Sequence, residues 1–370
     1  MPGNGQVRAC IVGGGLAGSL LAWRLATASR SWRIDLVAGH RSRADATAAS
    51  GGAVRAYEAH PEQRRLAAMS MVELLGSRTL RLWADFRRVE SVYLPDGAAP
   101  LDDAIADIDQ LLPGSASLVP AVELAKLGWT GVDDHPGFAV VERRAGYVSP
   151  DRLRNAVLAD GEARHRVSVH TGPVGRIEPR PDGGVRCVVD GRPRDYDLVV
   201  LATGAWTGAV LRNNGYPDTD FRVQSIQYSV YRTGSWRPPM FVDERIGVFG
   251  RPTSDGGLLL GRPTGLWSVD PDVPPTTPHL HDSAATLATA RFPRLRLGGV
   301  VRRVSSADCY ADVPILGLRP VADQQHRLFT FSGGSGGSVK TALAASHRAA
   351  VQLIGSGQPS ELVTVGRRIG

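Results

Sequence analysis

The feature that most constrains the fold is a glycine turn directly after a short apolar segment near the start of the chain. Val7–Val12 predicts a buried strand, and Gly13, Gly15 and Gly18 follow it in the spacing G-x-G-x-x-G. A helical pattern comes next, and Arg33–Val37 then predicts a second strand. The order strand, glycine turn, helix, strand is typical of a βαβ unit that binds a dinucleotide.

The chemistry of this turn suits a pyrophosphate. The first glycine permits the tight turn, the second lets the backbone approach the phosphates, and the third lets the helix pack on the strand. The helix that begins at Leu16 and Ala17 offers N–H groups and a partial positive charge to the phosphates. The acidic residue that normally binds the ribose is missing, because Val37–His40 contains no acid and Asp35 lies inside the strand. We expect another group, or water, to hold the ribose.

Composition narrows the class of protein. At roughly 150 residues per domain, 370 residues predict two domains. No apolar segment reaches the roughly 18–20 residues that a membrane span needs, and the N-terminus lacks a signal pattern, so we expect a soluble, cytoplasmic protein. The three cysteines are far apart, which favours a reducing compartment over a disulfide framework or a zinc cluster.

The basic residues do not indicate nucleic-acid binding. The formal net charge is +7, but the basic residues are interspersed with acidic ones and form no run and no recognisable motif. All of the 43 basic residues except Lys126 and Lys340 are arginines, which a GC-rich genome would explain. Arginine suits bidentate binding of carboxylates and phosphates, so an anionic cofactor or substrate is the expected partner.

Further elements follow from the pattern of apolar residues. Glu62–Leu75 predicts a long helix, and Ser149 followed by Pro150 predicts a helix start with an N-cap. Arg78–Val141 is mixed and rich in Pro and Asp, as in an inserted domain, and Phe221–Val301 predicts mainly strands.

Three more segments carry a family resemblance. The predicted strand Asp197–Leu201 runs into Ala-Thr-Gly-x-Trp, and Leu328–Phe331 runs into the glycine-rich loop 333–337 and a helix. Residues 49–55 read Ala-Ser-Gly-Gly-Ala-Val-Arg. Together with the first turn, and in this order over most of the chain, these segments resemble the D-amino-acid-oxidase superfamily of flavoenzymes, of the glycine oxidase and sarcosine oxidase type.

The resemblance implies FAD as the cofactor and an α/β fold, with a Rossmann-like FAD-binding domain and a β-rich (α+β) substrate-binding domain. We predict that the FAD-binding domain comprises residues 1–80, 146–215 and 320–370, and the substrate-binding domain residues 81–145 and 216–319. The first turn and the resemblance together predict as cofactor-binding residues Gly13, Gly15, Leu16, Ala17, Gly18, Ala49, Ser50, Gly51, Val174, Thr203, Gly204, Trp206, Gly333, Gly334, Ser335, Gly336, Gly337, Ser338, Val339 and Lys340.

Five side chains are predicted to act on the substrate. The resemblance places Arg55 against flavin or substrate, and Lys340 where sarcosine oxidases bind the substrate carboxylate. A lysine in the first turn of a helix is electrostatically unfavourable unless an anion lies there, so we predict that Lys340 faces an anion. Tyr228 and Tyr310 are candidates for the pocket wall, with packing in the core as the alternative. Arg251, at a predicted strand end, is a candidate for binding a substrate acid.

Two positions depart from the family pattern. Counting back from Asp312, the arginine of the family's Gly-x-Arg-Pro motif falls on Ala307, so carboxylate recognition is rearranged or the substrate is bound differently. Cys309 is near the site of covalent flavin attachment in some sarcosine oxidases, but the same count places that cysteine at Ser305. We therefore predict that the FAD is bound non-covalently and that Cys309 is an inert thiol.

The predicted function is FAD-dependent oxidation of an amine or an N-substituted amino acid. Hydride transfer to flavin gives an imine, water hydrolyses it, and molecular oxygen is reduced to peroxide. A narrower hypothesis is a glycine-oxidase homologue of secondary metabolism that cleaves an N-carboxymethyl β-amino acid to a β-amino acid and glyoxylate. A flavin monooxygenase and a non-catalytic flavin-binding protein are the alternatives. No metal site is predicted.

Overall fold

A computed structural model of the chain describes residues 6–39, 45–97, 100–218, 220–321 and 327–356. No helix within these ranges is long and apolar enough to cross a membrane.

The strands of the first half are β1 (Val7–Val12), β2 (Trp32–Ala38), β3 (Ala53–Val54), β4 (Arg87–Arg88), β5 (Ser91–Leu94), β6 (Ala116–Pro120), β7 (Phe138–Glu142), β8 (Gly146–Tyr147), β9 (Val167–Thr171) and β10 (Val174–Pro179). Those of the second half are β11 (Val185–Val189), β12 (Arg192–Tyr196), β13 (Leu198–Leu201), β14 (Phe221–Thr233), β15 (Met240–Asp243), β16 (Val248–Pro252), β17 (Leu258–Gly261), β18 (Leu297–Ala311), β19 (Gly317–Pro320) and β20 (Leu328–Ser332).

The α-helices are α1 (Leu16–Ala28), α2 (Ala46–Ala49), α3 (Pro61–Gly76), α4 (Arg78–Trp83), α5 (Asp102–Leu111), α6 (Pro150–Ala163), α7 (Thr207–Asn213), α8 (Pro278–Arg291) and α9 (Ser338–Ser356). Two short 3₁₀ helices cover Ala121–Leu127 and Gly204–Trp206.

A six-stranded sheet forms the centre of the first layer, in the order β19-β20-β13-β1-β2-β9. Its strands are parallel except β19, which pairs antiparallel with β20. Alternate residues of β1 face opposite sides: Ala9 and Ile11 pack with the helices, whereas Cys10 and Val12 pack against the small sheet β10-β11-β12. Both faces are therefore buried, which is why β1 is a continuous apolar segment rather than an alternating one.

An eight-stranded sheet forms the second layer, in the order β18-β14-β17-β16-β15-β5-β7-β6. Its core is an aromatic cluster in which the rings of Trp129, Phe241 and Phe292 meet edge to face, with centroids 4.9–6.0 Å apart. Helix α8 supplies Ala284 and Ala288 to this core. The strands of this layer come from residues 91–142 and 221–311, and those of the six-stranded sheet from 7–38, 167–201 and 317–332.

Most local predictions agree with the structure. The helix predicted at Glu62–Leu75 is α3, and Ser149 caps α6 by accepting a hydrogen bond from the backbone N–H of Arg152 at 3.4 Å. The expectation that Phe221–Val301 is mainly strands is wrong for α8. That segment begins with a proline and is rich in alanine, which are helix signals that the surrounding strands obscured.

Candidate active site

A cavity of about 980 Å³ lies between the two layers, at the carboxyl ends of the parallel strands. In open α/β sheets this edge is where ligands bind. All of the predicted cofactor-binding and substrate residues line the cavity except Gly18. Gly18 instead lies beneath the turn, where its backbone packs on Gly13.

The first glycine turn excludes side chains by direct contact with backbone. Gly13 has φ +117°, and a Cβ there would lie 2.2 Å from the carbonyl oxygen of Ala202. A Cβ on Gly18 would lie 2.1 Å from the carbonyl oxygen of Gly13. Because both obstacles are backbone atoms, no rotamer change relieves the clash, so the turn requires glycine at both positions.

A short polar cluster stands beside this turn. The hydroxyl of Thr47 accepts a hydrogen bond from the backbone N–H of Leu16 at 2.9 Å. Asp45 caps α2 by accepting from the N–H of Thr47 at 2.8 Å, and Arg154 donates to the same carboxylate at 2.7 Å. This cluster could not be predicted from the sequence, because it joins residues from three distant segments.

Asp35 does not line the cavity, as expected from its place inside β2. Its carboxylate accepts hydrogen bonds from the hydroxyl of Tyr196 at 2.8 Å and from Arg194 at 3.3 Å. His40, which follows this strand, lies outside the described residues. Within the described ranges, Asp45 is the first acidic residue after β2 in the sequence that borders the cavity.

The Ala-Thr-Gly-x-Trp segment forms the 3₁₀ turn after β13. Gly204 has φ +54°, and the Trp206 indole N–H donates to Asp272 at 3.0 Å. The hydroxyl oxygen of Thr207 lies 2.8 Å from both the carbonyl oxygen of Gly204 and the hydroxyl oxygen of Ser332, so its one proton is shared between two acceptors. This network joins the ends of β13 and β20, so two segments that the sequence singled out separately form one wall.

The C-terminal glycine loop is a second tight turn into a helix. Gly333 has φ +86° and Ser335 has φ +74°. The hydroxyl of Ser338 donates to the carbonyl of Ser335 at 2.6 Å, and the N–H of Gly336 donates to the hydroxyl of Tyr310 at 3.3 Å. The loop thereby fixes the start of α9 against β18.

Lys340 does face an anion, and that anion belongs to the chain itself. Its ammonium pairs with Oε1 of Glu58, which also accepts a hydrogen bond from Arg55 at 3.2 Å. Arg55 in turn lies over the ring of Tyr93, 4.6 Å from its centroid. Two buried cations therefore share one carboxylate, and we refer to Arg55, Glu58 and Lys340 as the charged triad.

Burial and charge oppose each other within the charged triad. Burial alone would raise the pKa of Glu58, but the positive charges of Lys340 and Arg55 outweigh it, and its pKa lies below the usual value. Burial lowers the pKa of Lys340, although Glu58 acts in the opposite direction. Nη1 of Arg55 is buried and has no hydrogen-bond partner in the described part of the chain.

Arg251 is engaged by backbone. Its Nε donates to the carbonyl of Gly51 and its Nη1 donates to that of Pro252 at 2.8 Å. The guanidinium lies over the ring of Tyr147, 4.2 Å from the centroid. The geometry makes Arg251 a support for the 49–55 segment; its predicted contact with a substrate acid remains untested.

The two predicted wall tyrosines differ. The hydroxyl of Tyr228 is buried without a partner among the residues that the structure describes, and burial raises its pKa. Tyr310 packs edge to face on Trp267, with centroids 5.0 Å apart, and burial raises its pKa to about 12. Tyr228 is thus the one with an unused polar atom.

The position of the missing arginine is occupied by a small, buried side chain, and its neighbours along β18 border the cavity. Ala307 is fully buried, and Cys309 is buried with its pKa raised to about 12 by that burial, which fits an inert thiol. Between them, Asp308 borders the cavity; it is 8% exposed, and its Oδ2 has no partner within the described ranges. Burial raises its pKa to about 7.

Comparison with known proteins decides the family. A sequence model described as FAD dependent oxidoreductase matches residues 8–351. The chain belongs to this family. No curated protein sequence gives a significant match.

Solved structures of several oxidases share the fold. The L-α-glycerophosphate oxidase of Mycoplasma pneumoniae with FAD bound is 17% identical, with a TM-score of 0.76 over 94% of both chains. The iminodiacetate oxidase of Chelativorans sp. BNC1 is 19% identical, with a TM-score of 0.72 over 97% of this chain and 98% of its own. The glycine oxidase of Bacillus cereus ATCC 14579 is 15% identical, with a TM-score of 0.70 over 95% and 96%.

The residues of this oxidoreductase fit FAD. The turn at Gly13 and Gly18 leaves no room for side chains where a pyrophosphate would approach. The cavity is at the upper end of the usual range for ligand sites, about 300–1,000 Å³. Arg55, Tyr228 and Asp308 line the cavity, and each has a buried polar atom that lacks a hydrogen-bond partner among the described residues.

Glu58 and Asp308 are site residues that sequence reasoning missed. Glu58 lies three residues after Arg55, and that i,i+3 spacing of opposite charges was a usable signal. Asp308 lies between two positions that the family pattern made conspicuous, Ala307 and Cys309, and was passed over for that reason.

Proposed function

We propose that this FAD-dependent oxidoreductase oxidises the C–N bond of an amino acid or an N-substituted amino acid, with molecular oxygen as the final acceptor. The observation that carries this proposal is the charged triad at the wall of the cavity. The assigned cofactor-binding residues, their non-covalent mode of binding and the division into two domains are part of the same proposal.

The charged triad retains positive charge that a ligand can compensate. Arg55 and Lys340 carry two positive charges, and Glu58 carries one negative charge. Glu142 also lies near Arg55; its carboxylate accepts hydrogen bonds from the N–H groups of Ala56 and Tyr57, and burial raises its pKa. A buried uncompensated charge is costly, so an anion that reaches Nη1 of Arg55 gains a strong interaction. A substrate carboxylate is such an anion.

The remaining walls suit a neutral amine held in one geometry. Leu259, Phe249 and Met240 exclude water on one side, and the Tyr228 hydroxyl is available to the substrate's polar atoms. With the carboxylate held by Arg55 and Lys340, the α C–H has one orientation. Such positioning contributes much of the rate without a strong general base.

The chemistry balances with oxygen and water as co-reactants. Bound FAD would accept the two electrons and the hydrogen of the α C–H bond as hydride. The substrate C–H bond breaks and a C=N bond forms; water then adds to give a carbonyl compound and the free amine. Oxygen takes up two electrons and two protons to give peroxide.

The narrower substrate that we propose is an N-carboxymethyl β-amino acid, which would give a β-amino acid and glyoxylate. Two observations support it. Ala307 leaves the usual arginine position apolar, and the structurally similar enzyme from Chelativorans acts on iminodiacetate, in which an N-carboxymethyl group is attached to an amino acid.

Anaerobic mixing tests the reaction class. Purified enzyme is mixed with primary amino acids, N-methyl amino acids and N-carboxymethyl amines while the visible flavin absorbance is followed. We expect bleaching by at least one N-substituted amino acid, and we expect glyoxylate to be released from a substrate that bears an N-carboxymethyl group. Bleaching that requires NADPH would instead indicate a monooxygenase, and no bleaching by any amine would refute the oxidase proposal.

A further inference from the structure

Asp308 is a buried carboxylate that the proposed reaction does not use. It lies on β18, where the sheet of the second layer meets the cofactor cavity, and its side chain approaches the C-terminal glycine loop. A Cβ on Gly336 would lie 2.8 Å from Oδ2 of Asp308, so the glycine is what leaves room for the carboxylate.

The position of Asp308 in the cavity suits contact with the flavin ring of FAD rather than with the pyrophosphate. The Gly13 turn, which suits the pyrophosphate, belongs to the first layer, whereas Asp308 belongs to a strand of the second layer. Asp308 pairs with Gln224 of β14 and lies beside the glycine loop. Gln224 and the glycine loop both border the cavity. Lys340 of the charged triad follows the same glycine loop that Asp308 approaches, so a flavin ring that meets a substrate held by the triad would lie at this end of the cavity.

Among the described residues, no cation on the helices and strands that surround Asp308 forms an ion pair with its carboxylate. Arg154 pairs with Asp45 at the cap of α2, and Lys340 pairs with Glu58 beyond the glycine loop. On β14, Arg222 lies over the Trp267 ring, 4.8 Å from its centroid.

The other titratable neighbours are neutral or already bonded. On β18 itself, Cys309 and Tyr310 both have pKa values raised to about 12 by burial. Next to Gly204–Trp206, Asp272 accepts the hydrogen bond of the Trp206 indole. Asp308 therefore holds or releases its proton in response to burial and to whatever occupies the cavity.

We propose that Asp308 faces the flavin ring and takes up a proton when the ring is reduced. Two electrons and one proton, delivered as hydride, add one negative charge to the ring. The ionised Asp308 carboxylate then binds one proton from solvent and becomes the neutral acid, so that the buried site gains no net charge. This inference rests on the FAD cofactor and is independent of which substrate is oxidised.

The pH dependence of the reduction potential tests it. The FAD-loaded enzyme and its Asp308→Asn and Asp312→Asn variants are titrated with dithionite against a reference dye across neutral pH. Asp312 is an exposed carboxylate near the end of the same strand and serves as the control. We expect the wild type and Asp312→Asn to take up one more proton per two electrons than Asp308→Asn. Each extra proton taken up changes the equilibrium constant for reduction by a further factor of ten per pH unit. For a two-electron couple this lowers the midpoint potential by about 30 mV more for each unit rise in pH.

Infrared difference spectra of the wild-type holoenzyme test the protonation of Asp308 without the use of a variant. Reduction near neutral pH should produce a new band in the region of protonated carboxyl groups. Parallel potential slopes in the wild type and Asp308→Asn, or no such band on reduction, would overturn the proposal. Because dithionite replaces the substrate, failure of the amine assay leaves this test intact.

Discussion

The two glycine-rich turns of this enzyme look alike in sequence but exclude side chains for different reasons. At Gly13 and Gly18 the obstacle to a Cβ is backbone, the carbonyls of Ala202 and Gly13. At Gly336 and Gly337 the nearest atoms are the carboxylate of Asp308 and the ammonium of Lys340, at 2.8 and 2.9 Å. The first turn is therefore shaped by sterics, and the second makes room for charged side chains beside the cavity.

Loss of the bound cofactor is expected from a change at the first turn. Gly13→Ala places a Cβ against backbone that cannot move aside, and overpacking of this kind costs about 1–3 kcal/mol or more. We expect the protein to purify with little flavin, measured as the ratio of visible to ultraviolet absorbance. Gly76→Ala is the control, since nothing lies within 4 Å of its Cβ position. Normal flavin content in Gly13→Ala would contradict the steric account.

Beside the second turn, Asp308 should make stability depend on pH. Its folded-state pKa of about 7 lies above the unfolded value of about 4, so the folded state retains a proton that the unfolded state releases. The stabilising contribution is complete below about pH 4 and is lost as the pH rises to about 7, on the order of 4 kcal/mol. Denaturant unfolding at fixed excess FAD should show this loss in the wild type and not in Asp308→Asn. Equal pH dependence in both would show that Asp308 is not held protonated.

A substitution of Lys340 tests whether the charged triad binds the substrate. Lys340→Met removes one cation and leaves Glu58 with Arg55 alone, so the attraction for a substrate carboxylate falls. We expect KM for an anionic substrate to rise at least about tenfold, or about 1.4 kcal/mol, with flavin retained. Steady-state kinetics measure this, and Lys126→Met is the matched control because that lysine is exposed and pairs with Glu123. An unchanged KM would assign Lys340 a purely structural role.

The smallest effect is expected at Tyr228, the neutral group of the substrate wall. Tyr228→Phe removes a hydroxyl that has no partner in the described chain, so folding should be unaffected. If the hydroxyl bonds the substrate, its loss costs about 0.5–1.5 kcal/mol, a rise in KM of up to about tenfold. Michaelis constants with a good substrate, together with the thermal midpoint, separate the two effects. A lower midpoint with unchanged KM would make Tyr228 a core residue.

The two glycine-rich turns also show which features could be predicted from the sequence. The first turn and its strand, helix and second strand are local, so the spacing of Gly13, Gly15 and Gly18 was enough to predict them. The family motifs predicted the other cavity walls because their order along the chain is characteristic. The partners of the charged groups were out of reach: Lys340 meets Glu58 only after α9 packs on α3, and Asp308 meets Gly336 only after β18 lies against the glycine loop. Helix α8 was missed because its neighbours in sequence are strands.

The order of the six-stranded sheet has a consequence for how the protein folds. β1 lies between β2, which follows it closely, and β13, whose other neighbour is β20 at residues 328–332. The cavity wall at β20 and the start of α9 therefore form only when almost all of the described chain is available. Such non-local pairing slows folding and leaves strand edges exposed meanwhile. During synthesis the βαβ unit at the N-terminus is complete early, but a ribosome must release the glycine loop before the nascent chain can enclose its cofactor.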